Sequence, residues 1–100
     1  MKMRYPAIVI REGKNLLAEF PTCQGCQTFA PPGLAIEQEA GEALAGWLET
    51  HLQEGILPPR PPRTVKLRKG QQLLWVAVDP KLAAKLELRW MRARSRRRPA

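Results

Sequence analysis

Few residues in this 100-residue chain have types and spacing that could do chemistry. Cys23-Gln24-Gly25-Cys26 is a lone C-x-x-C. A structural zinc site takes four thiolate or imidazole ligands, and the chain holds two cysteines and one histidine, His51. A dithiol redox motif opens a helix after a strand, whereas this pair falls in a turn ahead of a strand. It therefore reads as a turn with Cys26 packed inward as a small apolar residue. His51 lies near the end of a long helical pattern. No serine, cysteine or carboxylate motif gives it a nucleophile or base partner, so packing at the helix end, with a mild interaction with the dipole when protonated, is expected. Of the carboxylates, Glu37, Glu39, Glu42, Glu49 and Glu54 fall on that helix. Only Glu12 and Glu19 lie in or beside predicted strands, whereas metal-dependent nuclease chemistry needs acids converging from several strands. No catalytic residue, metal site or cofactor is expected. The chain reads as a binding protein, not an enzyme.

What it binds is suggested by charge. Residues 1–57 hold four lysines and arginines against seven glutamates, net −3. Residues 58–100 hold thirteen against Asp79 and Glu87, net +11, which makes the total +8. An acidic half suits a basic protein, and a basic half suits nucleic acid or an acidic surface. Arg92, Arg94, Arg96, Arg97 and Arg98 exceed what capping a helix end requires. They would hold nucleic-acid backbones without sequence preference. Trp47, Trp75 and Trp90 fall on apolar faces and are expected as core or interface anchors. Trp90, near Arg89 and Arg92, is the one candidate for stacking on a base. Neither a membrane-length apolar run nor a signal-peptide pattern is present, so a cytoplasmic protein is expected, with its cysteines reduced.

The elements that position these residues follow from periodicity. Arg4–Arg11 reads as a strand with Tyr5, Ala7 and Val9 on one face, and Pro6, which lacks an amide donor, means that it begins at or lies on a sheet edge. Glu12-Gly13-Lys14-Asn15 turns the chain into a second strand, Leu16–Phe20, to make a hairpin. Cys26–Phe29 is a short third strand, and Ala30-Pro31-Pro32-Gly33 ends it. Leu34–Glu54 is a helical pattern with Ile36, Ala40, Ala43, Leu44, Trp47, Leu48 and Leu52 on one face and Gln38, Glu42, Glu49 and Gln53 on the other. Gly55 is its stop. Gly41 and Gly46 weaken that helix, and close backbone approach is the reason expected for them. Residues 58–63 are a stiff proline-rich connector. Thr64–Arg68 alternates as an amphipathic strand, and Gln72–Val78 is a more apolar one. Asp79-Pro80 starts a second helix, striped by Leu82, Leu86, Trp90 and Ala93.

The order of these fragments resembles a known family. Tyr5-Pro6-Ala7 opens a strand, Leu17-Ala18-Glu19-Phe20-Pro21 closes a hairpin and Gly25-Cys26-Gln27-Thr28 starts the next strand. A helix follows with Ala40, Glu42-Ala43-Leu44 and Trp47-Leu48-Glu49, then Gly55 and a proline-rich exit. Over residues 1–62 this resembles the N-terminal domain of HicB-type antitoxins of type II toxin–antitoxin systems. Ala30-Pro31-Pro32 stands where the family usually has Gly-Asp-Thr. The resemblance implies a β-β-β-α-β domain likened to a degraded ribonuclease H fold. It also implies a partner, HicA, a small basic messenger-cleaving ribonuclease whose catalytic histidine the antitoxin covers. Val76–Leu86 is similar to the lead-in to a helix-turn-helix in many HicB proteins, but no second helix of such a motif follows here.

The expectation is therefore an α+β protein. Residues 1–57 form its core domain, 58–63 a linker, 64–94 further strands and a second helix serving as an oligomerisation element, and 95–100 a basic tail. Its partners would be a HicA-type toxin and further copies of itself, without a membrane. Glu12, Glu19, Glu42 and Glu49 are the expected toxin contacts. The alternative is a nucleic-acid-binding accessory protein that uses Arg92, Arg94, Arg96, Arg97 and Arg98.

Overall fold

The computed structural model describes residues 2–96. Four strands and two helices follow in the order β1 (Arg4–Glu12), β2 (Asn15–Glu19), β3 (Gln27–Ala30), α1 (Ile36–Gln53), β4 (Gln72–Ala77) and α2 (Pro80–Arg96). The strands make one antiparallel sheet in the order β3-β2-β1-β4. This is the α+β class expected. Side chains alternate across a strand. Thus Tyr5, Ala7 and Val9 of β1, Ala18 of β2, Ala30 of β3 and Val76 of β4 share one buried face. Ile36, Ala40, Leu44 and Leu48 of α1 cover it. Fully burying a leucine such as Leu44 or Leu48 contributes roughly 1.5–3 kcal/mol.

α1 starts later than its apolar pattern. Leu34 N–H donates to Pro31 O (3.1 Å) in a turn, and Ala35, which has no side-chain acceptor, is the N-cap. Glu37 and Glu39 in the first turn suit the positive end of the helix dipole. At the other end Ile56 N–H donates to His51 O (2.8 Å) and Gly55 N–H to Leu52 O (3.2 Å). This is a Schellman cap, with Gly55 at φ 73° supplying the left-handed residue it needs. α2 is capped by Asp79, whose carboxylate accepts from Lys81 N–H (3.0 Å) and Leu82 N–H (3.4 Å).

Several expectations are corrected. β1 is an interior strand, not an edge. Pro6 is tolerated because β2 pairs with β1 only from Ile8 onward, so beside Pro6 the ladder runs on the β4 side alone. Thr64–Arg68 forms no strand. It pairs with neither free edge of the sheet, β3 or β4. The chain runs irregularly to a turn closed by Gln71 N–H on Arg68 O (3.1 Å) and Arg68 N–H on Gln71 Oε1 (2.7 Å). The glycines of α1 do not mark a close approach, since a Cβ at Gly41 or Gly46 would meet nothing within 4 Å.

The proline-rich segment is docked rather than free. Pro58 is buried. Its carbonyl accepts from Trp90 Nε1 (2.7 Å), and the next carbonyl, of Pro59, accepts from the Tyr5 hydroxyl. Leu82, Leu86 and Trp90 of α2 thereby join the same core as the sheet.

Candidate partner-binding site

The sheet face turned away from α1 is the first candidate surface. It carries Ile8 and Ile10 of β1, Leu17 of β2, Phe29 of β3 and Leu73 of β4, brought side by side by the register. Phe29 is 58% exposed and Leu73 37% exposed. Glu12 and Glu19 point to the same face. Glu12 pairs with Asn15 at the hairpin turn, and Glu19 pairs with Ile8 four positions along the ladder. At ~3.4 Å per residue the two carboxylates flank the apolar row from about 14 Å apart. Alternation in β1 picked out the face of Tyr5, Ala7 and Val9, and this opposite face emerges only from the register.

The second candidate is a shallow groove of about 390 Å³ between α1 and the turn that enters β3. Gly25, Cys26 and Gln27 form one wall, and Glu42, Gly46, Trp47 and His51 contribute to the other. Trp47 ties the walls together, its Nε1 donating to Gln24 O at 3.0 Å. His51 stacks on it with ring centroids 3.7 Å apart and places Nδ1 2.9 Å from Trp47 O. Glu42 sits at the groove rim. Glu49 is exposed two helical turns further on and does not line the groove. The four expected contact residues are thus split between two faces. Glu12 and Glu19 lie across the sheet from Glu42 and Glu49.

Cys26 and His51 both line the groove, but they make no activated pair. Burial pushes the Cys26 thiol up to about 12, with neighbouring Cys23 adding to the effect, and burial pushes Cys23 up to about 11. A nucleophilic thiolate requires the opposite shift. Both cysteines are free and buried. Cys26 N–H donates to Cys23 O (2.9 Å), and Phe20 N–H donates to Cys26 O (3.1 Å), which makes the C-x-x-C a structural turn. Among the described residues no three His, Cys, Asp or Glu side chains converge as a metal site.

The tryptophans sort differently from expectation. Trp90 is 5% exposed and its indole N–H is committed to Pro58, so it offers no free face to a base. Trp75 is more accessible than Trp90, with the Arg4 guanidinium 5.6 Å from its ring centre. Its position on the outer face of an edge strand was not legible from local pattern alone. Arg92 and Arg94 are exposed on α2. Arg97 and Arg98, and the side chain of Arg96, lie outside the described residues. Among those described, no helix is long and apolar enough to cross a membrane.

Solved structures share this architecture. A chain of a HicA3 and HicB3 toxin–antitoxin complex matches with a TM-score of 0.66 and 27% identity, covering 78% of this chain and 100% of that one. The crystal structure of antitoxin HicB3 matches with a TM-score of 0.65 and 28% identity over 78% of this chain. The present chain spans 63% of that antitoxin's length. No protein-family model matches the sequence, and no curated protein does.

Proposed function

We propose that this chain, HicB-like in the order of its sequence fragments and in its fold, is an antitoxin that neutralises a HicA-type toxin by covering its active site. One observation carries the reading: the fold agrees with the whole length of a chain found in a toxin–antitoxin complex. The β-β-β-α-β arrangement, with its likeness to a degraded ribonuclease H fold, would then serve as a docking scaffold. The outer sheet face is the better contact surface, because residence in a complex depends on apolar anchors. Phe29 with Ile10 and Leu17 supplies them, while Glu12 and Glu19 would steer a cationic partner. Glu42 and Glu49, on the α1 side, would be rim contacts reached by a partner that wraps the β3 edge. Such a protein would act in the cytoplasm as a homo-oligomer, with exposed Leu88 and Met91 of α2 as apolar contacts between copies.

The test is co-expression with the small basic protein encoded in the adjacent reading frame. The expected result is relief of its toxicity and co-purification of the pair, lost in Phe29→Asp. Ribonuclease activity of the purified chain alone, or no affinity for that neighbour, overturns the proposal. The second reading, an accessory protein that grips nucleic acid through its arginine tail, draws on exposed Arg92 and Arg94. It gains if deleting the tail abolishes the biological effect while toxin binding persists.

A further inference from the structure

A larger cleft than the α1 groove adjoins the outer sheet face, with Arg4, Trp75 and Ala77 on the same side of the sheet as Ile8 and Leu73. It occupies about 1280 Å³ where the open edge of β4 meets the start of β1, residues 60–63 and α2. Four cations line it: Lys2 and Arg4 from the first segment, Arg60 and Arg63 from the second. Two tryptophans line it as well. The Arg60 guanidinium lies 4.7 Å from the Trp90 ring centre, and that of Arg4 lies 5.6 Å from Trp75. Trp90 belongs to the floor, being buried, whereas Trp75 is partly open to solvent.

We propose that this cleft binds a single-stranded nucleic acid, with Lys2, Arg4, Arg60 and Arg63 on its phosphates and a base stacked at Trp75. Lys2 and Arg4 come from one segment and Arg60 and Arg63 from another, so the cleft offers a polyanion four cations. Guanidinium groups resting on indole rings are held in place before a ligand arrives, so fewer rotamers are lost when they fork onto a phosphate. A cationic groove with an accessible aromatic platform is the general design for sequence-tolerant single-strand binding. An acidic peptide would satisfy the cations and leave the indole face unused. The prolines between Arg60 and Arg63 keep that wall extended. Two carboxylates also line the cleft. Asp79 is engaged in capping α2, and Glu87 sits 3.8 Å from Arg60 with both side chains more than half exposed. Glu87 is therefore the one acid in the cleft that an incoming phosphate must displace. This inference does not rest on the antitoxin reading, and either can fail alone.

The experiment uses the full chain carrying Arg96→Gln, Arg97→Gln and Arg98→Gln, because tail arginines hold any polyanion. Fluorescein-labelled twelve-residue oligouridylate and oligodeoxythymidylate are titrated and followed by anisotropy and tryptophan quenching. Binding of either single strand, with quenching and a log–log salt slope of about −0.7 per phosphate contacted, is expected. Arg4→Gln with Arg60→Gln should weaken it more than tenfold, and Trp75→Leu by about tenfold. Glu87→Gln should tighten it severalfold. Glu87 is on the exposed side of α2, so its substitution leaves the fold intact even if the arginine or tryptophan variants do not. Loss of binding in the tail variant overturns the proposal. So does a Glu87→Gln affinity that does not rise, a duplex held as tightly as a single strand, or displacement by polyglutamate at equal charge.

Discussion

At the scale of single residues, the cysteines show what burial does to a motif. Their neutral thiols suit the fold and their thiolates do not. Both ionise higher in the folded state, at about 11 and about 12, than the ordinary value of 9.0. A group whose folded pKa is raised stabilises the fold fully below its unfolded pKa and loses that contribution as pH climbs through the folded value. Tyr5 is raised in the same direction, mainly by burial. Stability should thus be flat across neutral pH and fall steeply from about pH 9 upward. Urea midpoints at pH 7.5 and pH 10.5 check this, and a midpoint unchanged at pH 10.5 would contradict it. Labelling by a disulfide reagent at pH 7.5 should be slow in the native chain and fast in urea. The inert character of the C-x-x-C was legible from its place in a turn before a strand. The half-exposed position of Trp75 was not, because it depends on which strand ends at the sheet edge, a long-range fact.

At the scale of elements, α1 is held by its apolar face and its Schellman cap, against two interior glycines that lower its intrinsic propensity. Since a Cβ at Gly41 or Gly46 would meet nothing within 4 Å, Gly41→Ala and Gly46→Ala should each stabilise the protein by about 0.8–1 kcal/mol. A thermal midpoint that falls in either variant would show that a glycine is needed there. Asp79→Ala removes the acceptor for two α2 amides and should cost about 1 kcal/mol. Far-UV circular dichroism with urea reads all three changes. Elements with long periodicity or strong punctuation were legible: α1 with Gly55, α2 with Asp79 and Pro80, and the β1–β2 hairpin around Gly13. Thr64–Arg68 was misread because two alternating apolar residues, Val65 and Leu67, describe a strand only if the chain is carried alongside a sheet edge. That depends on sheet order, which local alternation does not encode. The same gap hid the outer sheet face. Alternation placed Tyr5, Ala7 and Val9 on one face of β1, but only the register aligned Ile10, Leu17 and Phe29 into one patch on the other.

At the scale of the whole molecule, the acidic and basic halves are joined through the segment between them. Tyr5 of β1 and Trp90 of α2 reach consecutive carbonyls of Pro59 and Pro58. Both aromatic rings are otherwise in the shared core, so α2 has no apolar face of its own to fold around. The chain should therefore unfold in one transition. Tryptophan fluorescence, which reports on α1, β4 and α2 through Trp47, Trp75 and Trp90, should give the same urea midpoint as circular dichroism. Tyr5→Phe keeps the ring and deletes one part-buried hydrogen bond, leaving the Pro59 carbonyl a donor short, at a cost of about 1 kcal/mol. Trp90→Phe deletes the other bond and some packing. Because both bonds fix the same two-residue stretch, freeing one end already loosens the other. The double variant should lose less than the sum of the singles, with a coupling of about 0.5 kcal/mol or more. Strict additivity, or two separated transitions, would mean that residues 58–63 merely tether two independently folding parts. In that case a partner seated on the sheet would leave α2 and its arginines unaffected.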